Sequence, residues 1–249
     1  MNANQRKQEI LELLQEDATL SAARLSERFQ VSVVTIRNDL RSLEAEGLLS
    51  RSHGGAGAAF HARILRNQST HADTKKRIAR AAADLVKDGD RLMITSGTTC
   101  AMVVKYLLGK KDVHIVTNSS LILNYARINP SVTVTMVGGE FRPEIEAFVG
   151  PIALKTMAKF HVDLAFIGAD GFTVEHGITA DLVESEEIAE LMVAHARKSV
   201  VVADSSKYGK AGFAHILPLE SLDVLITDSG LDAKVQARLR KSGLELIVV

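Results

Sequence analysis

A single cysteine, Cys100, stands in 249 residues, so neither an intramolecular disulfide nor a cysteine cage for a metal can form. That usage fits a reducing compartment, and Cys100 reads as an ordinary small side chain. Apolar runs are short: none reaches the roughly 18 to 20 residues of a membrane helix, and the polar start "MNANQRKQEI" has no secretory core. The expected address is the cytoplasm, with no membrane partner. Net charge is also lacking, with 30 basic against 30 acidic residues. Residues 1–80 hold 13 basic and 9 acidic, but residues 1–57 alone hold 7 and 8. A nucleic-acid partner must therefore be argued from where the charges point. No strand-like run is followed by Gly-x-Gly-x-x-Gly or a Walker loop, which removes the signature of a nucleotide site. His61, His71, His114, His161, His176, His195 and His215 each lack a second ligand at metal spacing, so no metal and no cofactor is expected.

What is present begins with three helical patterns in the first 57 residues. Ile10, Leu11 and Leu14 mark the first. Leu25 and Phe29 mark the second, behind the cap candidates Thr19 and Ser21. The third starts after Ser32, buries Ile36, Leu40 and Leu43, and stops at Gly47. Only a few residues around "QVS" separate the second from the third, the tight connection of a helix-turn-helix. "LLSRSHGGAG" then suits a small hairpin, giving a winged helix. At about 100° per residue, Val34, Asn38 and Arg41 fall opposite the apolar stripe, with Thr35 and Arg37 on its flanks. A recognition helix uses such a face in the major groove of double-stranded DNA, where Arg pairs with guanine, Asn with adenine and methyl groups touch thymine. Arg51, His53 and Gly54 fall on the wing, near phosphates or a groove edge.

Residues 58–73 show no clean period and read as a linker. From residue 74 to 249, helical segments near 98–108, 148–158, 185–196 and 231–242 alternate with short apolar runs. The runs are "RLMITS", "VHIVTNS", "VTVTMVGG", "VDLAFIGAD", "SVVVADSS", "DVLITD" and "LELIVV". Continuous Val/Ile/Leu strands between helices predict an α/β domain with a mostly parallel, doubly wound sheet. Polar turns follow five of the runs: "SGTT" (96–99), "TNSS" (117–120), "GGEFR" (138–142), "GADG" (168–171) and "DSSK" (204–207). In such a sheet these turns converge on one crevice. Glycine N–H groups and hydroxyls there, with Arg142 and Lys207, suit a phosphate. Asp204 serves equally well as a cap of its own turn, and Lys76 and Arg77 read as solvated charges.

The stretch "VSVVTIRNDLRSLEAEGLLSRSHGGA" resembles the signature of the DeoR family of bacterial sugar-operon regulators. "SGTT", "TNS", "GGEFR", "GADG" and "ADSSKYG" resemble, in order, the sensor domain of that family, whose fold is similar to ribose-phosphate isomerases and CoA transferases. The resemblance implies a winged-helix repressor, not an enzyme, that binds operator DNA as a homo-oligomer, a dimer or tetramer. It also implies that a phosphorylated sugar or polyol releases the operator. It places Thr35, Ile36, Arg37, Asp39 and Leu40 in the recognition pattern, with Arg51, His53, Gly54 and Gly55 in the wing. Gly97, Thr98, Thr99, Asn118, Ser119, Gly138, Gly139, Asp170, Asp204 and Lys207 fall in the effector site. Thr95 stands where many members have Asp and would meet the sugar. Asn38 replaces a frequent second Arg, and Ala189 and Glu190 replace Lys and Arg. A different class remains open, an isomerase-type enzyme using Lys207, Asp170 or Asp204 as acid or base.

Overall fold

The computed structural model describes residues 2–17, 20–45, 48–52, 55–58 and 60–249. Thr19, Gly47, His53 and Gly54 lie outside the described residues, and for Arg51 only the backbone is described. The chain divides into two compact units, Met1–Thr70 with Pro143–Ile145, and His71–Arg142 with Glu146–Val249.

In the smaller unit, helix α1 (Ala3–Glu16) opens with a capping box between Asn2 and Gln5. Helix α2 (Ala22–Phe29) is capped by Ser21, whose hydroxyl accepts from Arg24 N at 3.3 Å. Gln30, left-handed at φ 52°, ends it and turns the chain within three residues into helix α3 (Val33–Ala45). Ser32 accepts from Thr35 N at 3.1 Å and so caps α3. Strands β1 (Leu49–Ser52) and β2 (Gly55–Ala58) pair antiparallel as the wing hairpin. Ile10, Leu11, Leu14, Leu25, Ile36 and Leu43 form the core.

The span expected as a linker differs. Helix α4 (Ala62–Ser69) occupies it and buries Leu65 in the same core, so the division between units falls after Thr70 rather than across 58–73. Eight residues with apolar positions side by side at Ile64 and Leu65 are too few to show a period.

The larger unit opens with α5 (Ala72–Asp84) and continues through β3 (Arg91–Ile94), α6 (Thr98–Lys105), β4 (Val113–Thr117), α7 (Leu123–Ala126) and β5 (Val132–Met136). A hairpin, β6 (Glu140–Arg142) and β7 (Ala147–Val149), leads to α8 (Pro151–Met157), β8 (Val162–Gly168), β9 (Gly171–Thr173) and β10 (Gly177–Ala180). Then come α9 (Val183–Ala194), β11 (Ala196–Val202), β12 (Ala214–Leu217), β13 (Val224–Thr227), α10 (Ala233–Lys241) and β14 (Glu245–Val248).

Seven strands form one sheet in the order β14-β13-β11-β8-β3-β4-β5, every pair parallel. The seven apolar runs of the sequence supply all of them. Helices cover both faces, which is why both sets of alternating side chains are apolar. Met93, Val116, Ala165, Ile167, Val201 and Leu225 pack with residues of α8, α9 and α10. The alternate positions, among them Ile94, Phe166, Val202 and Ile226, are equally buried, and α5 and α6 lie against the sheet beside β8, β11 and β13. A separate small antiparallel sheet has the order β12-β10-β9. Among the described residues no helix is long and apolar enough to cross a membrane.

Candidate functional site

In the smaller unit the candidate surface is the outer face of α3. Val34, Arg37, Asn38 and Arg41 are exposed together, while Ile36, Asp39 and Leu43 are buried. Val34 leaves 65% of its surface in water, a large apolar exposure at the helix start. Thr35 is half-buried, its hydroxyl 2.9 Å from that of Ser32, so these two residues shape the helix start. Arg41 donates from Nη1 to Asn38 Oδ1 at 3.0 Å, which joins them into one polar unit. The surprise is Asp39, which accepts from Arg6 Nε at 2.7 Å and Nη2 at 3.3 Å and so faces α1. The carboxylate in turn holds the Arg6 guanidinium above its usual range, by hydrogen bond first and charge second, against the burial that lowers it.

In the larger unit the carboxyl edge of the sheet is the candidate site. The chain lays β3, β4 and β5 outward in one direction and β8, β11, β13 and β14 in the other, so the order reverses between β3 and β8. A crevice opens at such a reversal because the flanking connections leave on opposite faces. Gly97 (φ +125°) turns the chain from β3 into α6, a conformation an L side chain rarely adopts. Thr98 and Thr99 then form the first turn of α6, where backbone N–H groups lack helical partners.

Thr95 is held by its neighbours in the fold. Its hydroxyl donates to Ser96 O (3.1 Å), accepts from Gly168 N (3.3 Å) and lies 3.7 Å from Cys100 Sγ, so it ties the ends of β3 and β8 together. Burial pushes the Cys100 thiol up to about 12, partly offset by that contact with Thr95, which leaves it a neutral wall residue.

After β4, Asn118 donates from Nδ2 to Phe148 O at 3.0 Å, and Phe148 N donates back to Asn118 O at 2.8 Å. Asn118 Oδ1 and Ser119 Oγ are buried and have no hydrogen-bond partner. Gly138 and Gly139 lead from β5 into the hairpin; a Cβ on Gly139 would stand 2.5 Å from Val149 O. Arg142 answers differently from expectation. Its guanidinium meets Glu184 at 2.8 Å and Glu140 at 3.8 Å, so its charge is already opposed by one carboxylate at the head of α9 and one on its own strand β6. Asp170, after β8, accepts from Asp181 N at 3.0 Å. After β11, Asp204 is buried and accepts from Ser206 N (3.1 Å) and Ser206 Oγ, capping the turn that carries Lys207.

One cation was missed. α5 precedes a parallel strand and runs against it, so its first turns lie at the carboxyl edge, and there Lys75 is buried to 5% exposure. Burial pushes its ammonium down to about 8, with Asp204 pulling it up and Lys207 pushing it down. The signal was available: Lys75 precedes Ile78, Ala79 and Ala82 by three, four and seven residues, on the apolar stripe of α5.

Two family descriptions match the chain, a DeoR-like helix-turn-helix domain over residues 6–60 and a DeoR C terminal sensor domain over residues 70–229. The HTH-type transcriptional repressor CsqR of Escherichia coli (strain K12) is 30% identical over 251 residues, spanning 100% of this chain and 96% of its own. The HTH-type transcriptional regulator GlpR of Haloferax volcanii is 33% identical over 248 residues, spanning 98% and 96%. Among solved structures, ribose 5-phosphate isomerase from Plasmodium falciparum aligns with a TM-score of 0.41 at 15% identity over 57% of this chain and 55% of that one.

Proposed function

The chain belongs to the DeoR family of transcriptional regulators, and from that membership we propose a repressor of a sugar or polyol catabolic operon, released by a phosphorylated sugar or polyol. The enzyme reading is set aside, because the full-length relatives are named as regulators and repressors. The protein acts in the cytoplasm on double-stranded operator DNA, as a dimer or tetramer, since one recognition helix covers only a few base pairs.

The observation that carries the effector reading is buried Lys75. An ammonium is costly to desolvate and is retained where an anion can use it. Lys75 and Lys207 stand near the buried carboxylate of Asp204, at the edge that also carries the first turn of α6. That edge suits a phosphate dianion. Asn118 Oδ1 and Ser119 Oγ, buried acceptors, suit the hydroxyls of a polyol chain. Gly138, Gly139 and Asp170 shape the same edge, with Thr95 and Arg142 as its braces rather than its ligands.

A gel shift on the upstream region of the operon, run with a panel of sugar and polyol phosphates and their unphosphorylated parents, tests the reading. Only phosphorylated compounds are expected to release the DNA, and Lys207→Ala is expected to need more of them while binding the operator normally. Release by an unphosphorylated sugar at the same concentration sinks the reading. On the DNA side, Arg37→Ala is expected to cost about 1 to 3 kcal/mol of operator affinity and to relax preference at one base position. Uniform weakening across all sequences, with a shallower salt dependence, would instead move Arg37 to a phosphate. Arg51, His53 and Gly54 are assigned to the wing contact on the same reading.

A further inference from the structure

We propose that Asp228 is the positioning residue of the effector site, holding the turn 204–207 against the sheet through Ser205; this rests on the crevice being the effector site. β13 lies beside β11, with Ile226 opposite Val202, so the residues that follow the two strands emerge side by side. Asp228 is buried there, and three donors converge on its carboxylate. Ser205 N reaches Oδ1 at 2.6 Å, Ser205 Oγ reaches Oδ2 at 2.9 Å, and Gly230 N reaches Oδ2 at 3.0 Å. The turn has a second tether in Asp204, which accepts from Ser206 and whose backbone oxygen accepts from Lys207 N at 3.0 Å. That tether is internal and fixes the shape of the turn; the Asp228 tether fixes where the turn stands relative to a strand end.

Gly230 closes the arrangement. A Cβ at that position would lie 2.3 Å from Ser205 Oγ and 2.8 Å from Asp228 Oδ2, so only glycine lets the two loops approach. Burial pushes the Asp228 carboxyl up, but the N–H groups of Ser205 and Gly230 and the Ser205 hydroxyl outweigh it and hold it below the ordinary carboxylate range. The oxygens of Asp228 thus face these donors, and its influence on a ligand passes through the turn. Burial lowers the Lys75 value most, and the turn carries Asp204 and Lys207, whose charges act on it as well, Asp204 raising it and Lys207 lowering it. A displaced turn therefore changes both a proposed contact and the titration of another.

The test titrates inorganic phosphate into the full-length protein from pH 7 to 9.5, reading the phosphate-dependent rise in thermal midpoint, for wild type, Asp228→Asn and Gly230→Ala. Phosphate binding is expected to weaken on the order of tenfold in both variants. The pH at which binding is lost is expected to move, while operator affinity without phosphate stays at the wild-type level. That shift in pH profile separates positioning from a general loss of stability. If Asp228→Asn does not fold, Gly230→Ala, which keeps the carboxylate, decides alone. Wild-type phosphate affinity and an unmoved pH profile in the folded variants overturn the proposal and leave the effector site standing. A wild-type protein that binds no phosphate overturns both.

Discussion

Asp39→Ala is expected to unfold the smaller unit rather than to alter which bases it reads. Asp39 and Arg6 form a two-pronged pair, with side-chain exposures of 8% and 12%, across 33 residues of sequence between α3 and α1. Removing the carboxylate leaves a half-buried guanidinium without its partner, a change that costs up to about 3 to 5 kcal/mol. Whole domains are stable by only about 5 to 15 kcal/mol, and small ones lie at the lower end. The melting transition of the isolated fragment 1–70, followed by circular dichroism, should therefore drop or vanish, and operator binding should fail for every sequence alike. Replacing both partners with apolar residues, Arg6→Met with Asp39→Leu, should recover much of the loss, since an apolar pair fills the site without desolvating charge. An unchanged melt for Asp39→Ala would show that the pair contributes nothing and that Asp39 must be explained by DNA after all.

Asp39 and Lys75 escaped the sequence for one reason: in each case residue type was weighed before position. Asp39 lies three residues after Ile36 and four before Leu43, and Lys75 lies on the stripe of Ile78, Ala79 and Ala82, so period alone puts both inside. An isolated charge on an apolar stripe is the place to look for a buried pair or a ligand. The seven core strands were legible because each is apolar on both faces, which leaves a continuous run that nothing else in the chain imitates. The hairpin β6–β7 and the sheet β12-β10-β9 were not, because strands of three or four residues built around "GGEFR" and "GADG" carry the same residue types as turns. The segment 148–158 likewise spans the end of β7 and the whole of α8. The carboxyl-edge turns were found, but topology alone shows Arg142 set against Glu184 at the head of α9. The exposed side of α3 was legible from the 100° rotation, since Val34, Arg37, Asn38 and Arg41 are exposed together, with Thr35 half-buried beside them.

Lys75→Met is expected to raise the inducer concentration needed for operator release by roughly ten- to 150-fold, the equivalent of about 1.5 to 3 kcal/mol for one hydrogen bond to a charged group. Operator affinity without inducer should stay at the wild-type level, because Lys75 lies in the sensor unit and the DNA-reading residues in the other. The pH profile gives a second, independent reading. With its value at about 8 in the free protein, Lys75 is charged at pH 7 and largely neutral by pH 9. A phosphate monoester has a second pKa near 6 and is already a dianion above roughly pH 7.5, so its own charge is constant across that window. A bound dianion favours the ammonium and raises the Lys75 value, so effector binding takes up a proton above pH 8. Affinity should therefore be full below pH 8 and fall as pH rises through it, by up to about tenfold per unit until the raised value is reached. In Lys75→Met that fall should flatten, leaving a weak effector response independent of pH between 7.5 and 9.5. The same steep fall in the variant would assign the titration to another group and remove Lys75 from the site.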